Sequence, residues 1–246
     1  MLENSTPQPV IRAEKLMKSF GHITALRGVD LIVPHGEIIT IFGPNGAGKT
    51  TLIRILSGLT HPTSGKAIVH GCDLANGDSE PRRKIGVISH QTYLYNNLNP
   101  LENLRFYGRL YGLDNLEDRI LKAIEEVGLT ERRNDPVKNF SRGMQQRLSI
   151  ARATLHEPTL LFLDEPYTGL DQHAARNLKN ILKRLHTEGR TIIMITHNIA
   201  RGLEMCDRVL IQVAGQIVYD KPIGEVDREG FEGLYFDIVA RGAKKR

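Results

Sequence analysis

Residues Gly43 to Thr50 read GPNGAGKT and fit the spacing G-x-x-x-x-G-K-[ST] of a phosphate-binding loop, the P-loop. Gly43, Gly46 and Gly48, with Pro44, Asn45 and Ala47 between them, let the backbone curl so that its N–H groups face an anion at the positive end of a helix. Lys49 brings a point charge suited to β- and γ-phosphates. Thr50 offers a hydroxyl to Mg²⁺, which prefers oxygen ligands in octahedral array, and Thr51 stands within reach of an α-phosphate. A second run, LLFLDE from Leu160 to Glu165, puts four apolar residues before an acid pair. It reads as a buried strand that delivers Asp164 to its end, where a carboxylate holds the water shell of Mg²⁺. Glu165 follows where an attacking water would stand, and a general base so placed contributes about 10²–10⁴-fold in rate. The blander readings are a chance glycine turn and an idle turn carboxylate. The strand before the loop, the helix after it and the acid pair speak against both.

A third run, FSRGMQQR from Phe140 to Arg147, is also suited to an anion: Ser141 and Gly143 open a helical pattern. One chain therefore carries two anion sites about a hundred residues apart, and the second needs its own explanation.

The elements that must position these residues are legible from periodicity. VIRAEKLMKSFG and ALRGVDLIVPHG alternate and read as antiparallel strands. GEIITIFG is a buried strand feeding the glycine loop, KTTLIRILSGL a helix behind it, and GKAIVHG and KIGVISHQ further strands, the last ending at Gln91. Between Tyr93 and His156 helical patterns dominate: LENLRFYGRLYGL, LEDRILKAIEEVGL and MQQRLSIARATL. Strands return with TLLFLDEP and TIIMITH around the helix ARNLKNILKRLHTEG, and RVLIQVAGQIVYD reads as a hairpin turning at Ala214-Gly215. Phe231, Leu234, Tyr235, Ile238 and Val239 at helical spacing predict a short amphipathic helix packed on the body. An α/β body is thus interrupted by a helical insertion.

Composition narrows the partners. No apolar run approaches the roughly 20 residues of a membrane span, and the first thirty residues hold charges and prolines rather than a signal-peptide core, so a cytosolic protein is expected. The net charge of +5 is too scattered to argue for nucleic acid, and the final AKKR reads as a solvated end. Cys72 and Cys206 fit no metal spacing and are expected in or near the core. His22, His61, His70 and His173 read as surface or structural, and His90 has no assignable role despite adjoining Gln91.

Phe20 before Gly21 in SFGHITAL, the P-loop, Gln91, FSRGMQQR, LLFLDE, GLD with Asp171 and MITHN with His197 stand in an order that resembles the nucleotide-binding subunits of ATP-binding-cassette (ABC) transporters. The resemblance covers about residues 10 to 225. It implies one ABC ATPase domain over 1–246 of α/β class: a P-loop NTPase core with an antiparallel β subdomain (about 10–92 and 157–225), a helical insertion subdomain (about 93–156), and a C-terminal amphipathic helix with a basic tail (about 226–246). It also implies roles. Phe20 stacks on adenine, and Gly43 to Thr51 wrap the phosphates of ATP. Thr50, Gln91 and Asp164 serve Mg²⁺, Gln91 also touching the attacking water. Glu165 is the base, His197 contacts the γ-phosphate, and Asp171 couples two sites. Ser141, Arg142, Gly143 and Met144 form a signature facing the nucleotide of a second cassette, identical or related. On that basis the two anion sites serve two nucleotides in a head-to-tail dimer. The signature departs from the commoner L-S-G-G-Q at Phe140, Arg142 and Met144. It keeps the hydroxyl and one glycine, which fits an active site, or a degenerate one paired with a better site on a related subunit.

Five of the fourteen Phe and Tyr residues, Tyr93, Tyr95, Phe106, Tyr107 and Tyr111, follow Gln91 closely. In the family this region receives a helix from a separate membrane permease; packing within the helical lobe is the competing reading. IGVISHQTYLYNNLNPLENLRFYGRLYGL and FSRGMQQRLSIARA are most similar to the haem-exporter ATPase of bacterial cytochrome c maturation. That implies haem-handling partners and a place on the cytoplasmic face of the bacterial inner membrane. A multidrug, lipid or polysaccharide exporter ATPase and a soluble iron–sulfur assembly ATPase remain alternatives.

Overall fold

The computed structural model describes residues 8–76, 80–89 and 91–243. His90 and the basic tail Lys244–Arg246 lie outside the described residues. The alternating N-terminal run forms β1 (Ile11–Phe20) and β2 (Ile23–Val33), antiparallel about the turn Gly21-His22. Next come β3 (Ile38–Phe42), α1 (Lys49–Leu56), β4 (Ser64–Val69), β5 (Cys72–Asp73), α2 (Glu80–Arg83) and β6 (Ile85–Ile88). Three helices follow, α3 (Pro100–Tyr111), α4 (Leu116–Glu126) and α5 (Arg142–Thr154). The chain then returns through β7 (Leu160–Asp164), α6 (Gln172–Thr187), β8 (Thr191–Ile195), α7 (Ile199–Met205), β9 (Arg208–Val213), β10 (Gln216–Pro222) and α8 (Phe231–Ala243).

Two sheets result. One is antiparallel in the order β2-β1-β4-β5; the other runs β10-β9-β3-β8-β7-β6, parallel except for the β9–β10 hairpin. IITIF, LLFLD and TIIMI are buried at every position, as parallel strands covered on both faces must be. Alternate residues serve different cores. Ile38, Phe42, Leu161, Leu163, Ile192 and Met194 face α4 to α8, whereas Ile39, Ile41, Phe162 and Ile193 face α1 and the antiparallel sheet. The carboxyl ends of β3, β8 and β7 lie side by side, the position where open α/β sheets receive ligands.

Local chemistry explains the element ends. Asn99 and Glu102 form a reciprocal capping box ahead of α3, with Pro100 in its first turn. Ala214 and Gly215 both take positive φ, 49° and 83°, as a two-residue hairpin turn demands. Phe231 of α8 is fully buried with its ring 5.4 Å from that of Phe42, and Tyr235, Ile238 and Val239 pack on the same core. Leu234, expected to join them, is instead exposed. Cys206 is buried and Cys72 half-buried, both as free thiols. Among the described residues no helix is long and apolar enough to cross a membrane.

Candidate functional site

A cleft of about 670 Å³ opens at the carboxyl ends of β3 and β7. Its walls are the loop from Asn45 to Thr51, the pair Asp164 and Glu165, Ile195 at the end of β8, and the β1–β2 turn with Phe20. The loop's curl depends on glycine at two points. A Cβ at Gly43 would collide with the Gln212 carbonyl, and one at Gly48 with the Ala25 carbonyl. Gly48 has a φ of 98° and starts α1, whose first N–H groups therefore border the cleft.

Lys49 folds back into the loop, its Nζ donating to the carbonyls of Gly43 (2.6 Å) and Pro44 (3.0 Å). Burial pushes the ammonium below its usual pKa, and Glu165 and Asp164 pull the other way. A partly desolvated cation among inward-turned N–H groups is a receptor for a polyanion. Thr50 donates its hydroxyl to Asp164 Oδ2 at 3.0 Å. One hydroxyl and one carboxylate converging on a phosphate loop match the hard oxygen donors of Mg²⁺ and leave the remaining positions to water and substrate phosphate oxygens.

Glu165 has a left-handed backbone, φ 53°, and its N–H donates to the Ile195 carbonyl at 2.9 Å. This conformation costs an ordinary residue energy and here turns the carboxylate toward His197, whose Nδ1 lies 2.8 Å from Oε2. The imidazole is largely exposed, so Glu165 stands between a buried acid and an open histidine. Phe20 is 54% exposed at the cleft edge, with Lys18 Nζ 5.0 Å from its ring centre, an open aromatic face suited to a heterocycle.

Ser141, Arg142, Gly143 and Met144 are not in this cleft. Ser141 caps α5, accepting from the Met144 N–H at 3.3 Å, and both Ser141 and Arg142 are exposed. Gly143 permits close helix packing, since a Cβ there would lie 2.9 Å from that of Ala174 on α6. Asp171 caps α6, accepting from the Ala174 N–H at 2.7 Å. The two capped helix starts therefore meet through Gly143 and Ala174.

Gln91 departs from expectation. β6 stops at Ile88, so Gln91 does not end the strand; it lies in an exposed bend whose carbonyl accepts from Ser89 Oγ at 2.8 Å, outside the cleft lining. The strand's register with β7 ends at Ile88 opposite Leu163. Among the aromatics, Tyr111 stacks on His156 (4.0 Å) and the Tyr107 ring lies against Arg152, whereas Tyr93, Tyr95 and Phe106 are exposed. Packing within the helical lobe therefore accounts for Tyr107 and Tyr111, while Tyr93, Tyr95 and Phe106 remain on the surface.

The sequence gives no signal that marks the β1–β2 turn and the start of β2 as part of the site. His22, expected to be surface or structural, lines the cleft with Thr24, Ala25 and Arg27. In the fold, the two-residue turn after Phe20 obliges the next strand to flank the same opening.

The ABC transporter family model matches residues 26–168. The chain is 36% identical to the linearmycin resistance ATP-binding protein LnrL of Bacillus subtilis (strain 168) over 211 residues, covering 85% of this chain and 68% of that protein. It is likewise 36% identical to the lantibiotic transport ATP-binding protein SrtF of Streptococcus pyogenes, over 86% of this chain and 90% of that one. A solved ATP-binding subunit of an ABC transporter superposes with a TM-score of 0.82 at 30% identity, covering 94% of this chain and 98% of that one. A dimeric ATP-binding cassette in a post-hydrolysis state with ADP and Pi superposes with 0.79 at 26% identity, covering 87% and 98%.

Proposed function

The chain belongs to the ABC transporter family and is an ATPase of it, and from that premise we propose that two cassettes close head to tail on two ATP molecules to drive a separate export permease. One observation carries the reading: Glu165, turned by its left-handed backbone onto His197, stands beside the Thr50–Asp164 pair and Lys49 in a cleft edged by Phe20. Phe20 stacks on adenine, and the loop from Gly43 to Thr51 binds the phosphates. Thr50 and Asp164, together with Gln91 in the role the family pattern gives it, would hold Mg²⁺, which would neutralise charge on the β- and γ-phosphates. Glu165 takes a proton from water as its oxygen attacks the γ-phosphorus and the bond to the ADP oxygen breaks. His197 orients Glu165 and contacts the γ-phosphate.

Ser141, Arg142, Gly143 and Met144 present their exposed helix start to the γ-phosphate held by the other cassette, and Asp171 links that start to α6. ATP bridges both surfaces and favours the closed state; hydrolysis removes the bridge. The exposed rings of Tyr93, Tyr95 and Phe106, with Leu110 beside them, supply the anchors for a permease helix, which would hold the protein at the cytoplasmic face of a bacterial inner membrane.

For the cargo system, the wording of 85–113 and 140–153 supports haem export in cytochrome c maturation, with haem-handling partners. A second reading, export of antimicrobial or lipid-like cargo, is favoured by the relatives, whose names refer to linearmycin resistance, lantibiotic transport and Nod factor export. Tagged Glu165→Gln protein purified from solubilised membranes in Mg-ATP distinguishes them. Small multi-span subunits with a haem-handling protein support the first, and a drug- or peptide-exporter permease supports the second. Soluble partners alone would overturn export and favour an iron–sulfur assembly ATPase.

A further inference from the structure

A second cavity, of about 300 Å³, lies between the β9–β10 hairpin and the end of α8. Its walls are apolar at Val213, Val218 and Ile238; among the described residues its charged groups are Arg27 and Arg241, and no acidic side chain lines it. Among the described residues neither guanidinium has a hydrogen-bond or carboxylate partner. Two cations beside an apolar wall match a ligand with an anionic head and a short apolar body, because guanidinium groups bind carboxylate and phosphate through paired N–H donors. The volume sits at the small end of ligand sites, which limits the body to a chain or single ring.

The cavity is joined to the nucleotide loop. Arg27 also lines the cleft of the P-loop. Its N–H donates to the Gly215 carbonyl at 2.9 Å, and the Gly215 N–H donates to the Ala47 carbonyl at 3.0 Å. The hairpin turn therefore bonds to the phosphate loop on one side and to the strand carrying Arg27 on the other. We propose that the Arg27–Arg241 cavity is a regulatory site for a small anionic amphiphile whose occupancy weakens nucleotide binding by drawing Arg27 and the Ala214-Gly215 turn away from the P-loop. The coupling, though not the cavity, rests on the nucleotide reading of the cleft. By linkage, ATP must weaken the amphiphile by the same factor.

Octanoate is the probe, titrated calorimetrically into the full chain, with octanol as the uncharged control. Octanoate should bind and octanol should not. Arg241→Gln and, separately, Val218→Asp at the mouth should each weaken octanoate at least about ten-fold while leaving ATP affinity unchanged. Saturating octanoate should raise the ATP dissociation constant about five-fold in the wild type and leave it unmoved in Arg241→Gln. Equal octanoate affinity in wild type and both variants, or equal binding of octanol, overturns the site. Octanoate binding with unaltered ATP affinity overturns the coupling. Octanoate is titrated without nucleotide and ATP without octanoate, so loss of ATP binding alone would count against the cleft and not against the cavity.

Discussion

Glu165 is held by two opposing demands. Its φ of 53° costs on the order of 1–3 kcal/mol in a non-glycine residue, and the hydrogen bonds to Ile195 and His197 keep it there. Replacing only the carboxylate leaves that backbone intact. Glu165→Gln should therefore retain the fold and ATP binding while phosphate release falls by about 10²–10⁴-fold, and ATP should trap a dimer visible by light scattering. Normal turnover would remove Glu165 from the chemistry. Lys49 makes a contrasting case, because its ammonium already bonds the loop carbonyls of Gly43 and Pro44. Lys49→Ala should lower nucleotide affinity itself by at least about ten-fold in a fluorescent-ATP titration; wild-type affinity would contradict the P-loop reading. At this scale the sequence was informative where chemistry is local: glycine curl, Lys49, Thr50 and the acid pair are neighbours in the chain or follow strands of one parallel sheet with only β8 between them. His22 reads as surface or structural and nothing singles out Arg27, though both line the cleft because β2 folds back beside β1.

Helices α5 and α6 begin on capping side chains that the family pattern assigns to a shared nucleotide site, so each residue carries two candidate duties. Substitution can separate them. Ser141→Ala removes the cap and should cost about 0.5–2 kcal/mol in unfolding free energy. Ser141→Asp keeps a capping oxygen and adds a negative charge suited to a helix start, so thermal stability should hold. If Ser141 meets a triphosphate across the dimer, that same charge should abolish ATP-driven association of the Glu165→Gln protein. Association unchanged in the Asp variant would leave Ser141 with the cap alone. Long periodic helices such as α3, α4 and α6 were readable, and Asn99, Pro100 and Glu102 mark one start outright. The seven-residue α7 was not. Gly202 sits in its middle, a residue that ordinarily weakens a helix, and is required because a Cβ there would strike Phe42 in the strand below. Gln91 was misplaced because β6 and its register with β7 end at Ile88, before it.

At the scale of the whole molecule, the parallel sheet separates two cores, and two histidines sit where its edge meets other layers. His70 follows β4, and its Nε2 lies 3.3 Å from the Thr159 hydroxyl just before β7. His156 lies flat on Tyr111 of α3, and its Nε2 donates to the Ile85 carbonyl of β6 at 3.0 Å. Burial is the main cause that lowers both to a pKa of about 4, helped by Lys84 and His35 near His70 and by Arg152 near His156; only the Ile85 bond opposes it. Both rings are therefore neutral in the fold, whereas the unfolded chain protonates them near 6.5. Above pH 7 neither state gains a proton and stability is unaffected. Between about 6.5 and 4 the unfolded chain binds protons that the folded one refuses, so stability falls as the solution is acidified, by at most about 1.4 kcal/mol per pH unit for each histidine. The seams between helices and sheet should loosen together, because the helical group and the antiparallel sheet each lose a contact to the same edge. Urea unfolding at steps from pH 7.5 to 4.5 should give midpoints that decline below 6.5, and the decline should be shallower in His70→Gln with His156→Gln. An identical slope in the double variant would assign the acid sensitivity to other groups.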